Sequence, residues 1–402
     1  MNSTDRVTLK LNWDAYEKIG APAFKNAWEM IDVLEQMVKA SPEKDGIPVY
    51  GIGLYDVSSF EFWQNMFSYF AWHGYRTDYL KYLLEFKVSD QTLTSILTKD
   101  SKYYEGLQWY NECYKRGLLD PDSINTERAT ALAKVDAGMV MVPGGNFLGN
   151  SPYYMEYFLP DTSIWFDYTT ELGYTTYLIA INAETEHLEE CLDFVDLMSN
   201  PTEYFSFYYG GDGDGIWYSE GNNIYLSEEY KEYVKAGNTA GDYYWKSGEK
   251  FEYFNTPYIF STGSRMTYED GNGNQRQFIV SSFSEFQEIT AQSENLDSWR
   301  KIMGYNSWQE LLADKNGLVA YNEIGETARY QQLPDDKMKL TISSIADKVK
   351  EASWKMVYAE SEAEFEKIWE QMVSDCEGLG AQEVMDWALK NVEQAVATAR
   401  GN

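Results

Sequence analysis

The chain has 402 residues, too many for one ordinary core, and 44% of them are apolar, so we expect two or more folded domains. Its net charge of −31 disfavours nucleic acid and anionic membrane surfaces as partners, because their phosphates would be repelled. The three cysteines and two histidines are far apart, which leaves little material for a zinc site, a disulfide framework or a serine–histidine–aspartate triad. We therefore expect no metal and no cofactor.

Aromatic residues make up 16% of the chain, which is the outstanding feature of its composition. Large cores and surface tyrosines would account for part of this content. A groove lined with flat rings is the alternative, and such rings pack against the C–H faces of sugars. The acidity argues against an anionic ligand unless the fold hides a basic pocket.

The first 121 residues are predicted, in chain order, to form helix, strand, helix, helix and turn. Apolar residues recur at helical spacing over 24–40 and over 58–72, and 49–53 between them has the pattern of a short strand. Tyrosines at steps of four, three and four predict a helix over 103–114. Gly117 ends it, and Asp120-Pro121 begins a turn.

Two short apolar runs, 137–142 and 177–181, are predicted buried strands, and a helix with one apolar face is expected over 184–199. The segment 205–280 is rich in Gly, Tyr and Trp and predicts loops, short helices and a hairpin around 270–274. The last 70 residues return to helix. Strands separated by helices indicate an α/β chain.

Several short motifs follow one another in order. Residues 12–22 contain Asn-Trp-Asp-Ala-Tyr and end in Gly-Ala-Pro, 117–121 is Gly-Leu-Leu-Asp-Pro, and 137–139 is Ala-Gly-Met. Residues 179–182, Ile-Ala-Ile-Asn, precede His-Leu-Glu-Glu-Cys-Leu-Asp-Phe at 187–194. Their order resembles the family-1 extracellular solute-binding proteins of ABC importers, although the family's Gly-Lys pair is Val-Asp at 135–136.

The resemblance implies an α/β, periplasmic-binding-protein-like fold of type II, with two lobes joined by a hinge. It implies that 1–158 is the first segment of the second, C-terminal lobe. Residues 159–330 would be the returning segment of the first lobe with an aromatic and Gly-rich insertion, and 331–402 would be helices packing on the second lobe. The family begins with a further segment that carries the signal, the lipobox cysteine and most of the first lobe, so the N-terminal part of the first lobe is expected to be missing.

The function implied is that of a non-catalytic receptor that traps a carbohydrate, an oligosaccharide, between its lobes for delivery to an ABC permease. The implied protein is a monomer and an extracytoplasmic, cell-surface lipoprotein of a Gram-positive bacterium. The aromatic content supports a sugar over a peptide, although peptide and polyamine receptors share the architecture.

In the first part of the chain, the candidate ligand-binding residues are aromatic rings and one amide. Trp63, Trp72 and Tyr75 border the cleft by resemblance, and the alternative for each is core packing. Asn146 could hydrogen-bond a hydroxyl and Phe147 could stack, or both could belong to a plain turn after a strand.

In the second part, the candidates lie around the sequence Tyr-Tyr-Gly-Gly-Asp-Gly-Asp-Gly-Ile-Trp-Tyr at 208–218. Its glycines would let backbone approach a ligand, and its aspartates could accept paired hydrogen bonds from hydroxyls. A calcium loop is a competing interpretation, but no downstream bidentate Glu follows. Trp165 could pack at the hinge or contact ligand, and Arg265 could pair with carboxylates or bind an acidic sugar. The candidates here are Tyr208, Asp212, Asp214, Trp217, Trp165 and Arg265.

Two other function classes remain open at the level of sequence. A glycoside hydrolase needs two carboxylates across the scissile bond, and among 64 acidic residues no local signature selects a pair. A surface protein-interaction module would also tolerate high acidity and many tyrosines.

Overall fold

A computed structural model describes two compact units, which we call unit 1 (1–170 and 298–402) and unit 2 (171–297). The predicted assignment of 1–158, 159–330 and 331–402 to receptor lobes stays a prediction. The structure describes residues 9–56, 62–144, 153–160, 164–167, 180–221, 223–236, 238, 243, 246, 248, 267–269, 275–277, 280, 283, 286, 289, 294–315, 319–322 and 330–399.

Helices and strands are interspersed through unit 1. Its helices are α1 (Trp13–Lys18), α2 (Ala27–Ala40), α3 (Trp63–Trp72), α4 (Lys102–Lys115) and α5 (Arg128–Asp136). Its strands are β1 (Leu9–Asn12), β2 (Glu43–Lys44), β3 (Ile47–Pro48), β4 (Tyr50–Gly53), β5 (Tyr75–Arg76), β6 (Leu84–Lys87), β7 (Thr92–Ser95), β8 (Val140–Pro143), β9 (Tyr154–Tyr157) and β10 (Ile164–Asp167).

The described part of unit 2 has helices α6 (Leu188–Ser199), α7 (Pro201–Tyr209) and α8 (Glu228–Lys235) and strands β11 (Trp217–Glu220), β12 (Asn223–Leu226), β13 (Thr267–Glu269) and β14 (Gln275–Gln277). Helix α9 (Glu294–Met303) crosses the boundary, and unit 1 then resumes. Its later elements are α10 (Trp308–Asp314), β15 (Val319–Asn322), α11 (Asp336–Val357), α12 (Glu362–Gly378) and α13 (Ala381–Ala399).

The strand pairing in unit 1 has the parallel crossovers of an α/β fold. Strands β4 and β8 pair in parallel, with Ile52 opposite Val142, and β10 pairs in parallel with β15. Strands β1 and β9 are antiparallel, and β5, β6 and β7 form an antiparallel sheet that the sequence patterns did not predict. The predicted strands at 49–53 and 137–142 are confirmed as β4 and β8, within a few residues.

The opening motif of 12–22 holds the start of unit 1 together. Asn12 caps α1 by accepting the Ala15 N–H, and its side-chain amide donates to the Gly138 carbonyl at 3.1 Å. The Tyr16 hydroxyl donates to the Pro22 carbonyl at 2.9 Å. These side chains are therefore accounted for by local structure and packing.

The turn at 117–121 joins α4 to the β4 edge. The Ile52 N–H donates to the Leu118 carbonyl at 3.0 Å, and the Asp120 N–H donates to the Ile52 carbonyl at 2.9 Å. The buried Asp120 carboxylate also pairs with Lys134 of α5 at 2.5 Å. The Gly-Leu-Leu-Asp-Pro motif thus has a structural role.

The C-terminal helices pack on α4, inside unit 1. The hydroxyls of Tyr103 and Ser353 lie 2.7 Å apart, and Phe62 meets Trp354 edge to face at 5.0 Å between ring centroids. Asn111 of α4 donates to the carbonyls of Val357 and Ala359, at the end of α11. The helical pattern of the last 70 residues is confirmed.

Unit 2 has an aromatic core of its own. The hairpin predicted around 270–274 is confirmed by the antiparallel pairing of β13 and β14. The core is made by α7, α8, the β11–β12 hairpin and nearby single positions, and its buried residues are Tyr204, Phe205, Tyr208, Tyr209, Ile216, Trp217, Ile224, Leu226, Tyr230, Tyr243, Tyr268, Val280 and Phe283.

The segment 177–199 agrees with the sequence expectations only in part. The helix is present as α6, but Leu188 is 52% exposed and Leu192 is 51% exposed, so its apolar face is not buried in this structure. Most of the strand expected at 177–181 lies outside the described residues, and the two that are described, Ala180 and Ile181, are not in a strand.

Candidate ligand-binding site

Tyr75 is a half-buried aromatic residue that lies beside charged groups. It lies on β5, meets Phe70 edge to face at 6.0 Å, and has the Lys102 ammonium 5.9 Å from its ring centroid. Burial, with the negative charges of Glu85, Asp90 and Glu105, raises the pKa of Tyr75 to about 12. The phenol therefore stays neutral near pH 7 and can both donate and accept a hydrogen bond.

A compact charged network lies close to Tyr75. The Lys102 ammonium pairs with Glu105 at 2.6 Å, and the Tyr69 hydroxyl donates to Glu105 at 2.8 Å. His73 Nδ1 lies 2.7 Å from the Tyr69 carbonyl. Burial, followed by the charge of Lys102, lowers the pKa of His73 to about 4, so the imidazole is neutral at pH 7.

Glu85 is the buried carboxylate of this region. Its two oxygens accept the backbone N–H groups of Lys102 and Tyr103, at 3.0 and 3.1 Å, at the first turn of α4. Burial raises its pKa to about 7, against the lowering effect of these two hydrogen bonds and of the Lys102 charge. Sequence reasoning missed Glu85, His73 and Glu105, since single polar residues in apolar segments carry no local signal.

The structure places Trp72 in the core of unit 1. Its ring is buried and packs on Tyr69 and Trp109, at 6.2 and 5.8 Å between centroids. This favours the core-packing alternative for Trp72. The backbone of Trp63 begins α3 and that of Trp165 lies in β10, but their side chains are outside the described residues.

In unit 2, two of the candidate rings pack inside the aromatic core. Trp217 is fully buried and its indole N–H donates to the Gly210 carbonyl at 2.7 Å. Tyr208 is buried and stacks on Tyr204, with 4.4 Å between centroids. Core packing is again the favoured alternative for both.

The two candidate aspartates of unit 2 lie in the glycine-rich loop before β11. Asp212 is exposed and accepts the backbone N–H of Ser219 at 2.9 Å, together with its hydroxyl. Asp214 is half-buried, and its backbone carbonyl accepts the Lys246 N–H at 3.1 Å. Asp212 thus ties the loop to the hairpin, while the Asp214 side chain has no such hydrogen bond to the residues that the structure describes.

Glycine geometry in this loop is required by the fold. Gly213 and Gly215 have positive φ angles of 76° and 140°, and a Cβ on Gly215 would lie 2.6 Å from the Tyr243 hydroxyl oxygen. Close approach of the loop backbone to Tyr243 therefore explains one of the glycines that suggested ligand contact.

The remaining candidates, Asn146, Phe147 and Arg265, lie outside the described residues. Across the residues that the structure does describe, no three His, Cys, Asp or Glu side chains are grouped as metal ligands. The same residues include no helix that is long and apolar enough to cross a membrane.

Comparison with known proteins shows similarity in structure. No family model matches the chain, and no curated protein matches it by sequence. Among solved structures, an "HMO binding ABC-transporter associated Solute Binding Protein" of Bifidobacterium longum infantis aligns with a TM-score of 0.57 and 12% identity, over 97% of this chain and 74% of that one.

Two further structures are similar. The S. pneumoniae ABC-transporter substrate-binding protein FusA, in complex with kestose, has a TM-score of 0.55 and 15% identity, over 99% of this chain and 74% of that one. An extracellular solute-binding protein of B. longum subsp. infantis has a TM-score of 0.54 and 12% identity, over 96% and 73%. The chain therefore has the periplasmic-binding-protein-like α/β fold of ABC-transporter solute-binding proteins, as the sequence predicted.

Proposed function

We propose that this protein is a non-catalytic receptor of an ABC import system and binds an oligosaccharide. The observation that carries the proposal is the fold similarity over almost the whole chain to solute-binding proteins, one named for HMO binding and one in complex with kestose. The aromatic content of 16% agrees with a sugar ligand, and the net charge of −31 favours a neutral one.

Among the described candidates, Tyr75, Asp212 and Asp214 are the residues that keep solvent-accessible surface. A neutral phenol and two carboxylates are suited to hydrogen-bonding sugar hydroxyls. We propose them as ligand contacts, together with the candidates whose side chains are not described, Trp63, Asn146, Phe147, Trp165 and Arg265.

The proposal includes an extracytoplasmic location as a surface lipoprotein of a Gram-positive bacterium, a permease as the protein partner, and a monomeric state. Sedimentation equilibrium tests the last of these. A single species of 46.4 kDa is expected, and a concentration-dependent dimer would contradict the monomer.

A thermal-shift screen with kestose and neutral milk oligosaccharides tests the function. A ligand that binds only the folded state stabilises it by RT ln(1 + [L]/Kd), about 2.7 kcal/mol at a hundredfold excess over Kd. We expect the melting temperature to rise with one of these sugars while chromatography recovers the sugar intact. Hydrolysis would instead support a glycoside hydrolase, and no shift with any sugar would count against a carbohydrate receptor.

Tyr75→Ala in the same assay tests the site, with Tyr114→Ala as the matched control. Tyr114 is also half-buried in unit 1, but its ring packs on Tyr358 and its hydroxyl donates to Glu360. We expect the sugar-dependent shift to shrink in the Tyr75 variant and to persist in the control. Equal shifts in both variants would remove Tyr75 from the site.

A further inference from the structure

Unit 1 contains a groove between its C-terminal helix, α13, and the segment 330–335 that precedes α11, which we call the strap. Neutral hydrogen-bonding groups line this groove. Its volume is about 430 Å³, within the roughly 300–1,000 Å³ range of small-molecule sites. The described residues that line it are Tyr330, Gln332, Asn391, Gln394, Ala397 and Thr398. All six belong to unit 1.

The groove is built by helical spacing on one side. Asn391, Gln394 and Thr398 follow at steps of three and four along α13, so they share one face of the helix. Ala397 lies beside them, and its small side chain leaves the space open. The Thr398 hydroxyl donates to the Gln394 carbonyl at 2.9 Å, which orients it on the helix.

The strap on the other side is anchored by a reciprocal amide pair. The Gln332 N–H donates to Asn391 Oδ1 at 2.8 Å, and Asn391 Nδ2 donates back to the Gln332 carbonyl at 2.9 Å. Asn391 is only 6% exposed, whereas Gln332 is exposed, so this pair is a partly buried contact. The neighbouring Gln331 donates to the Tyr79 hydroxyl at 2.8 Å. The backbone that carries the Gln332 side chain is therefore held in place.

The chemistry of the lining selects a class of ligand. None of the six lining residues carries a charge, although the chain has a net charge of −31. The side-chain amides of Gln332 and Gln394 are exposed and make no hydrogen bond within the described part of the chain. Free amides supply both donors and acceptors, and Tyr330 adds a flat ring that is 40% exposed.

We propose that this groove is a second carbohydrate site, which binds one or two neutral sugar units through Gln332, Gln394 and Tyr330. Hydroxyl groups match amides that both donate and accept, and the described lining residues offer no counter-charge to a charged ligand. The ligand is either a soluble sugar or a unit of a surface polysaccharide, since both present the same hydroxyls. The site uses residues other than those proposed for the transported ligand.

Saturation-transfer NMR with millimolar sucrose, lactose and maltose tests the groove, using the whole chain and two variants. Any sugar that raises the melting temperature is also present, at a concentration that just saturates that shift, so that the site for the transported ligand is already occupied. Gln394→Ala removes one free amide, and we expect binding about three- to tenfold weaker. Ala397→Trp fills the groove, and we expect the signal to be lost. Gln382→Ala is the matched control, because Gln382 is an exposed glutamine on the same helix that donates to Asp386. Cosedimentation of the protein with insoluble cellulose, lost in Ala397→Trp, would identify a polysaccharide as the ligand, whereas binding of the soluble sugars alone would identify a soluble sugar.

The melting temperature of each variant shows whether it folds. Because Gln394 is exposed, we expect Gln394→Ala to fold, and it tests the site even if Ala397→Trp does not fold. Weaker binding in Gln394→Ala and loss of the signal in Ala397→Trp, with an unchanged control, support the site. A signal that is equal in wild type and Ala397→Trp, or no signal in any protein, would overturn it. Triglycine is measured alongside as a neutral peptide, and a signal from triglycine in place of the sugars would also overturn it. The thermal shift with kestose reports the transported ligand and is expected to be unchanged in Ala397→Trp, so the two proposals fail separately.

Discussion

At the scale of single residues, steric demands explain features that a motif alone leaves ambiguous. Gly144 follows β8, and a Cβ at this position would clash with the Gly53 carbonyl oxygen of the paired strand β4. Backbone cannot move aside as a flexible side chain can. Glycine at position 144 is therefore required by the pairing of β4 with β8, whether or not Asn146 and Phe147 touch ligand.

The buried Glu85 predicts a pH dependence of stability. Its pKa is raised from 4.5 to about 7 in the folded protein, so the folded state holds this proton more tightly than the unfolded state. The contribution of Glu85 to the free energy of unfolding is fully present below about pH 4.5 and is lost as the pH rises to about 7. The loss is on the order of 3 kcal/mol. We expect Glu85→Gln to gain stability relative to wild type over that pH range.

Urea unfolding of both proteins at pH 5 and pH 8 measures this difference. The contribution of His73 to the pH dependence of stability has the opposite sign, because its lowered pKa removes stability as the pH falls from 6.5 to about 4. It is present in both proteins, so its contribution cancels in the comparison. A stability difference that is the same at both pH values would contradict the raised pKa of Glu85.

At the scale of elements, a few buried polar contacts join segments far apart in sequence. Asn111 of α4 is buried, and its amide donates at 3.1 and 2.8 Å to two carbonyls at the end of α11. These contacts span 246 and 248 residues. Helix periodicity predicted both helices, but it could not predict that they meet.

We expect Asn111→Ala to reduce the free energy of unfolding by about 2–3 kcal/mol, because two buried carbonyls lose their donors. Gln371→Ala on α12 is the control, since Gln371 is exposed and bonds Asp375 within its own helix. Its cost should stay below about 0.5 kcal/mol. Chemical denaturation measures both, and similar losses would show that Asn111 does not link the helices.

At the scale of the whole molecule, charge dominates. The chain has 64 acidic and 33 basic residues, and such an excess destabilises the compact state by self-repulsion. Raising NaCl from 20 to 300 mM shortens the screening length and should raise the melting temperature at pH 7. At pH 4.4, the isoelectric point of the sequence, the salt effect should shrink. A melting temperature that falls with salt at pH 7 would contradict this account.

Local sequence patterns predicted the main helices and two strands of unit 1 in their chain order, but they did not predict the sheet of β5, β6 and β7. Apolar spacing predicted α2, α4, β4, β8 and the helical C-terminus, and the motif order predicted the fold that the similar structures share. These features depend on residues near one another in the chain, where periodicity, caps and turn residues act directly.

Which aromatic rings lie in a core and which keep an accessible surface is seen in the three-dimensional packing alone. The sequence around Trp72 and Trp217 was compatible with ligand stacking, but each ring is buried in the core of its own unit. Tyr75 is instead half-buried beside a charged network. The cluster around Glu85 and the neutral groove on α13 also join residues that are distant in sequence. A ring or carboxylate takes its role from what packs across from it, and local pattern holds no information about that partner.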